Sequence, residues 1–479
     1  KSFLSSPRRF GKSLTVSTLA SMFSGKYDLF KGLYAEEWVK NCANHPFPVL
    51  LFDMSDINKN DPEYIRRRLE DEIKRFAKIF NVKLESSTME GKFIDLLDSI
   101  YQQYGEIVIL IDEYDKPILD CIDNVKQADV VRKVLKGFYT LLKKCDTYIR
   151  FLFITGISKF SKTSIFSSMN NLEDISMDVQ YADIVGYTQN ELVKNFPEFI
   201  NSTSSIMEIT PDDVLNKLKN YYDGFCFDGE TKVYNPFSIM LCLKKSKFMN
   251  YWYESGSPSF IVKYLKQHNI SDLEQYEHIH VTDNFLDIHE IESASPENFL
   301  YQTGYLTIEK IEDSNFILRY PNAEVKESIN TMYLSAIYNI NEYNILGKSL
   351  WTSLQNGDMD ETINIFNSAL SSIPYDDFPK RDEYWYRSLF LMLLRGAGIL
   401  SVAEAHGNKG RPDIIALLAK RIIVIEFKTC KNMRGLSKAR REGKEQIEKN
   451  MYAESYKYEN RQLTRSVIIV NIEKHMAFL

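Results

Sequence analysis

The chain has 479 residues, and at about 150 residues per domain that length predicts about three folded units rather than one small module. With 44% hydrophobic and 26% charged residues, 20 Gly and 14 Pro, its composition excludes wholesale disorder and fibrous classes. Its 59 basic and 65 acidic residues leave a net charge of −6, so a polyanion partner would have to be met by a local basic patch.

The chain begins at Lys1 without Met, and Phe3 and Leu4 read as the remnant of a strand, so a truncated fragment is expected. A helix with Val16, Leu19, Ala20 and Phe23 at helical spacing follows, ended by Gly25. Next come a short strand, Pro48 to Asp53, and an amphipathic stretch, Pro62 to Phe80. Ile107 to Ile111 and Phe151 to Thr155 are continuous apolar strands of the kind found inside a parallel sheet covered by helices. From about Gly186 short helices dominate, and near Phe299 a helix gives way to two strands, Tyr305 to Ile311 and Phe316 to Tyr320, a pattern compatible with a winged helix. Helical segments continue to about Ser372, and Ile373 to Lys380 reads as a linker to a separate C-terminal α/β unit. The six cysteines show no CxxC pair or metal-ligand spacing and read as reduced thiols of a cytoplasmic protein. No apolar run approaches the ~20 residues that span a bilayer, so no membrane partner is expected.

Between the first strand and the first helix lies Ser6-Pro7-Arg8-Arg9-Phe10-Gly11-Lys12-Ser13, where a phosphate-binding loop belongs. Backbone amides of Phe10 to Leu14 would hold ATP phosphates, Lys12 would reach the β and γ oxygens, and Ser13 would ligate Mg²⁺. Ser6 stands where the general motif has its first glycine. The strand Ile107 to Ile111 delivers Asp112 and Glu113 to the carboxyl edge of the sheet, where ligands bind. Asp112 is the candidate for the metal's water shell and Glu113 for deprotonating the attacking water. Thr155 or Ser158 would sense a γ-phosphate, or each is a turn hydroxyl.

The run Phe3 to Ser13, taken with Leu110-Ile111-Asp112-Glu113-Tyr114-Asp115, resembles the AAA-ATPase-like family that carries a C-terminal nuclease-like domain. Tyr234-Asn235-Pro236-Phe237-Ser238 and Gln302-Thr303-Gly304-Tyr305-Leu306-Thr307 are similar to later motifs of that family, and Ser6 is then its habit. The resemblance implies an α/β fold: a P-loop NTPase (AAA-like) parallel sheet over 1–185, a helical lid and winged-helix-like region over 186–325, a helical connector over 326–375, and a nuclease-like domain over 376–479. Read from the residues alone, Tyr234, Asn235 and Tyr305 take structural roles.

In the C-terminal unit, Gly410-Arg411-Pro412-Asp413 precedes the strand Ile422 to Lys428, and Glu426 and Lys428, two residues apart, point to one face. Thirteen positions separate Asp413 from Glu426, enough for a hairpin that brings the carboxylates together around Mg²⁺. This is similar to the PD-(D/E)XK nuclease superfamily, which implies Asp413, Glu426 and Lys428 as its core positions, Glu383 as an additional acidic ligand and Gln446 as a residue near the scissile phosphate. The basic run Lys431, Arg434, Lys438, Arg440, Arg441 and Lys444 is either a grip on a phosphate backbone or a solvated helix face paired with Glu442 and Glu445. His406 is either an acid–base group or a loop histidine, and reads as the latter. Two functions are therefore expected: an ATPase controlling a Mg²⁺-dependent nuclease that acts on nucleic acid, DNA ahead of RNA, or a nucleotide-operated switch that binds without cutting. Self-association into a homo-oligomer is a further expectation.

Overall fold

The computed structural model describes the chain except residues 56, 58–60, 122–123, 160–168, 170, 255–260, 262–263, 266–272, 274–275, 283–284, 286–293, 314, 339–342, 374–381, 404–411 and 451–460. His406, Gly410, Arg411 and linker positions 374–380 lie outside the described residues. The described chain divides into two compact units, one drawn from residues up to Asn322 and the other chiefly from Ala323–Leu479.

The first unit is built on a parallel sheet of β1 (Ser2–Ser5), β2 (Val49–Asp53), β3 (Ile107–Asp112), β4 (Ile149–Gly156) and β5 (Glu173–Asp174), in the order β2-β3-β4-β1-β5. Strand β3 is buried at every position, as an apolar run covered on both faces must be. The order puts β1 between β4 and β5, so the loop after β1 opens at the carboxyl edge beside the ends of β3 and β4. The short edge strand β5 carries no sequence signal; its pairing to Ser2 and Phe3 makes it a strand.

Proline opens helices Pro62–Ile79, Pro197–Met207, Pro211–Tyr222, Pro236–Lys245 and Pro296–Gln302, at the position where a helix needs no backbone donor. The middle helices bury Leu192, Ile200, Val214, Leu218, Tyr222, Tyr234 and Ile239 in one core. Strands β6 (Phe225–Cys226) and β7 (Lys232–Val233) form a small hairpin, and helix Pro296–Gln302 is followed by the hairpin β9 (Thr307–Glu312) and β10 (Asn315–Arg319). The sequence reading missed β8 (Ile279–Thr282), which extends that hairpin to three strands in the order β8-β10-β9.

The second unit holds helices Ala323–Tyr338, Tyr343–Asn356, Met359–Ser371 and Glu383–Gly396, and a mixed sheet of β11 (Leu400–Ala403), β12 (Ile414–Leu417), β13 (Arg421–Cys430), β14 (Gln462–Asn471) and β15 (Met476–Phe478) in sequential order. Only β13 and β14 pair in parallel, and helix Leu436–Asn450 makes their crossover. Ile422, Val424 and Cys430 of β13 pack with Ala439 and Ile447 of that helix. Phe427 points the other way, onto Phe390 and Phe366. Gly443 comes so close to β14 that an added Cβ would stand 2.4 Å from Val467 Cγ1, so a larger residue would push the helix off the sheet.

Candidate nucleotide and metal sites

The loop after β1 turns into helix Lys12–Phe23 through Arg9 (φ 66°) and Gly11 (φ 93°). No side chain caps the helix, so its first amides are left to an outside acceptor. A Cβ on Gly11 would meet nothing within 4 Å, which leaves the room a phosphate needs above the turn. The Lys12 ammonium is buried and donates to Ser6 O at 2.7 Å and Pro7 O at 2.8 Å. Burial pushes its pKa down to about 8 against the pull of Asp115, Asp112 and Glu113, so a phosphate would meet a desolvated cation. These features fit a nucleoside triphosphate. Ser13 is exposed, Leu14 is 71% exposed, and Phe10 turns its ring into Phe225 and Phe227, so Phe10 and Leu14 offer only their backbones.

Asp112 ends β3 and receives the Thr155 hydroxyl at 2.6 Å and its neighbour Glu113's N–H at 3.0 Å. Glu113 sits in the left-handed region (φ 52°), a strained conformation for a residue with a side chain. Burial, then Asp112 and Asp115, raise its pKa, which is the direction a general base needs. Asp115, which the sequence offered as part of the Leu110–Asp115 motif without a role, is 1% exposed and accepts from Ile157 N (3.0 Å), Ser158 N (2.6 Å) and the Ser158 hydroxyl. Thr155 and Ser158 are thus spent on carboxylates that tie the ends of β3 and β4 together.

The two later motifs surround the phosphate loop. The indole of Trp252 donates to Arg8 O at 3.1 Å and packs on Tyr305, with ring centroids 4.9 Å apart. Gly304 (φ 86°) lies so near Pro7 that a Cβ would come within 2.4 Å of it. The Arg9 guanidinium sits 4.8 Å from the Phe237 ring centroid. Tyr234 is buried with its hydroxyl on Gln189, and Asn235 caps helix Pro236–Lys245 through Ser238 N at 3.1 Å. The signal for these contacts lay in the motifs, whereas their target on the loop needed the fold.

In the second unit, Ile414 pairs with Ile425 in antiparallel register, so one step earlier Asp413 stands opposite Glu426. Ile415, Ile422 and Val424 share the core under helix Leu436–Asn450, which by strand alternation puts Asp413, Glu426 and Lys428 on that same sheet face. Asp413 Oδ2 accepts Phe427 N–H at 2.7 Å, and Oδ1 lies 3.6 Å from Arg387. Lys428 Nζ lies 3.0 Å from Glu426 Oε1 and 3.8 Å from Glu383. Glu383, the first residue of its helix, also accepts Thr429 N–H at 3.1 Å. Arg387 follows Glu383 by one turn and was not singled out from the sequence, although a cation in an apolar helix was a signal.

Glu426 is 1% exposed, and its Oε2 has no hydrogen-bond partner among the described residues. Burial, then Asp413, push its pKa up to about 7 despite Lys428. An orphaned buried carboxylate oxygen beside a second carboxylate fits a divalent cation. Among the described residues no three His, Cys, Asp or Glu gather at metal-ligating distance, and Mg²⁺, which keeps several waters, needs no more than one or two carboxylates. Gln446 lies on helix Leu436–Asn450 one turn beyond Gly443, which packs on Val467, the register partner of Glu426. No helix among the described residues is long and apolar enough to cross a membrane.

Residues 1–166 match the family model described as predicted AAA-ATPase, and residues 381–477 match that of the PD-(D/E)XK nuclease superfamily. An uncharacterized protein in the vnfD 5′ region of Azotobacter chroococcum mcd 1 is 32% identical over 438 residues, which cover 89% of this chain and 82% of that protein. Among solved structures, Aeropyrum pernix Orc1 in complex with DNA is similar at 10% identity and a TM-score of 0.25, over 86% of this chain and 81% of its own. Pyrobaculum aerophilum Cdc6p is similar at 10% identity and a TM-score of 0.23, over 69% and 87%. With a relative matched over most of both lengths and a domain model seated on each sheet that carries a site, the chain belongs to the AAA-ATPase-like family with a C-terminal PD-(D/E)XK nuclease superfamily domain.

Proposed function

We propose that the chain binds and hydrolyses ATP at the loop after β1 and cleaves nucleic-acid phosphodiesters, DNA ahead of RNA, at the carboxylates of its mixed sheet. The observation that carries the second activity is the pairing of Asp413 with Glu426 across β12 and β13, with Lys428 on the same face. Glu426 and Asp413 would hold Mg²⁺, which when bound supplies Lewis acidity toward a scissile phosphate. Lys428, held between Glu426 and Glu383, presents a cation to charge developing on that phosphate. Arg387 and the Phe427 amide fix the Asp413 carboxylate in place. At the other site, Lys12 and the helix amides would bind the triphosphate, Ser13 and Asp112 would hold Mg²⁺, and Glu113 would take the proton of the attacking water.

A second reading, a switch that binds without cutting, draws on Asp413 itself, whose two oxygens already have protein partners. One assay separates the two. Purified chain is incubated with plasmid DNA, single-stranded DNA and RNA, in Mg²⁺ or in EDTA, with and without ATP. Mg²⁺-dependent cleavage that is lost in Lys428→Ala is expected. Intact substrates under every condition would leave the switch.

A further inference from the structure

The N-terminal half of helix Leu436–Asn450 carries charges of the sign its own dipole disfavours. Anions stabilise the first turn of a helix and cations the last. Here the first turn holds no acid; Lys438, Arg440 and Arg441 lie in the N-terminal half and Lys444 just beyond it, with Glu442 between them, and Glu445, Glu448 and the last-turn Lys449 follow. Lys431 and Arg434 extend the cationic run upstream through the 3₁₀ turn Met433–Gly435. All six cations are exposed.

Internal pairing does little to offset this arrangement. Lys438–Glu442 and Arg441–Glu445 are each 3.8 Å apart, at exposed positions, and each has its cation N-terminal to its anion, the weaker orientation for such pairs. Among the described residues Lys431, Arg434, Arg440 and Lys444 enter no ion pair. Ala439, Gly443 and Ile447 seat the helix on the sheet, so the cations lie on its remaining faces; Lys438 and Arg441 are neighbours at i, i+3, as are Arg441 and Lys444. From Lys438 to Lys444 the helix rises about 9 Å, a length over which duplex DNA carries about five phosphates. The sheet face beneath is the one that holds Asp413, Glu426 and Lys428.

We infer that the cationic run from Lys431 to Lys444 is a binding surface for the phosphate backbone of a nucleic acid, gripping the strand on the side of the sheet where the carboxylates lie. The inference rests on the nuclease reading for the identity of the polyanion. A neutral or basic partner would not relieve the repulsion among six cations or their conflict with the helix dipole, whereas a run of phosphates relieves both, at a charge spacing regular enough to meet the whole run.

The test uses the full chain carrying Lys428→Ala, with fluorescence anisotropy of labelled duplex DNA, single-stranded DNA and RNA in EDTA over a series of salt concentrations. Changing Lys431, Arg434, Lys438 and Arg441 together to Glu is expected to weaken binding at least 30-fold. Changing the same four to Gln is expected to flatten the slope of log affinity against log salt by about 3 to 4, since each lost phosphate contact removes about 0.9. Circular dichroism establishes that both variants fold, and Glu445→Gln is expected to tighten binding. Unchanged affinity and slope in the Gln variant, or no binding of any of the three nucleic acids by the parent chain, overturns the inference. Cleavage is scored separately on the chain with Lys428 intact. Cutting with a slope that ignores the four cations sinks the surface and leaves the nuclease; patch-dependent binding without any cutting sinks the nuclease and leaves the surface.

Discussion

Gln302 and Lys159, 143 residues apart, exchange hydrogen bonds: Gln302 Oε1 accepts Lys159 N–H at 2.9 Å, and Gln302 Nε2 donates to Lys159 O at 3.4 Å. Lys159 follows Ser158, which is bound to Asp115, and Gln302 precedes Gly304, which presses on Pro7. The end of β4, the acidic turn after β3 and the phosphate loop are therefore joined through one amide side chain.

Gln302→Ala leaves the Lys159 backbone without that partner at a partly buried position. The expected cost is about 0.5 to 1.5 kcal/mol of stability, together with slower ATP turnover as the β4 end loses its anchor on the loop. Thermal denaturation and steady-state ATPase assays check this, and a variant equal to the parent in both would remove Gln302 from the network.

Glu113→Gln keeps the shape of the turn and removes the base. Nucleotide binding is expected to persist while hydrolysis falls by about 100-fold or more. Lys12→Ala, by contrast, is expected to lose nucleotide binding itself. Equilibrium binding of a fluorescent ATP analogue alongside phosphate release separates the two effects.

Lys12 should take up a proton when nucleotide binds. Its folded pKa of about 8 lies below the ordinary 10.5, so the cost of charging it in its buried site is present in full below about 8 and fades as pH rises to 10.5. Phosphate oxygens favour the charged form and raise the pKa again. At pH 8.5 the calorimetric enthalpy of ATP binding is expected to vary with the ionisation enthalpy of the buffer, and at pH 6.5 this uptake should vanish. Buffer-independent enthalpy at pH 8.5 counts against the desolvated lysine.

Glu426 titrates in the opposite sense. Its carboxyl is pushed from 4.5 up to about 7 in the fold, so the folded state holds a proton that the unfolded chain has released. Stability is therefore unpenalised below about 4.5, declines as pH rises to about 7 and is level above that, by about 3 kcal/mol in total. In EDTA the melting temperature is expected to drop across this window, less so with Mg²⁺ present, and Glu426→Gln should abolish the decline.

Asp413→Asn preserves the size of the side chain and removes half of the carboxylate pair. Mg²⁺-dependent cleavage is expected to fall by about 100-fold or more, with ATP turnover unchanged because the ATP site is built from other residues. A variant that still cleaves at the parent rate would take Asp413 out of the site.

The amino-acid order determined the pieces whose physics is local. Val108 to Ile111 is apolar at each position and had to be a strand covered on both faces; the alternation in β13 put Glu426 and Lys428 on one side; proline and glycine marked where helices start and where the phosphate loop turns. Strand β8, the two-residue β5, and the partners of Asp115, Gln302 and Arg387 were decided by tertiary structure alone. Each depends on backbone or side-chain groups brought together from distant parts of the chain, and hydrogen bonds of that kind leave no periodicity to read. Likewise, Glu426 was visible as a carboxylate in a strand, but only the packing that buries it and the register that sets Asp413 opposite make it hold its proton to about 7.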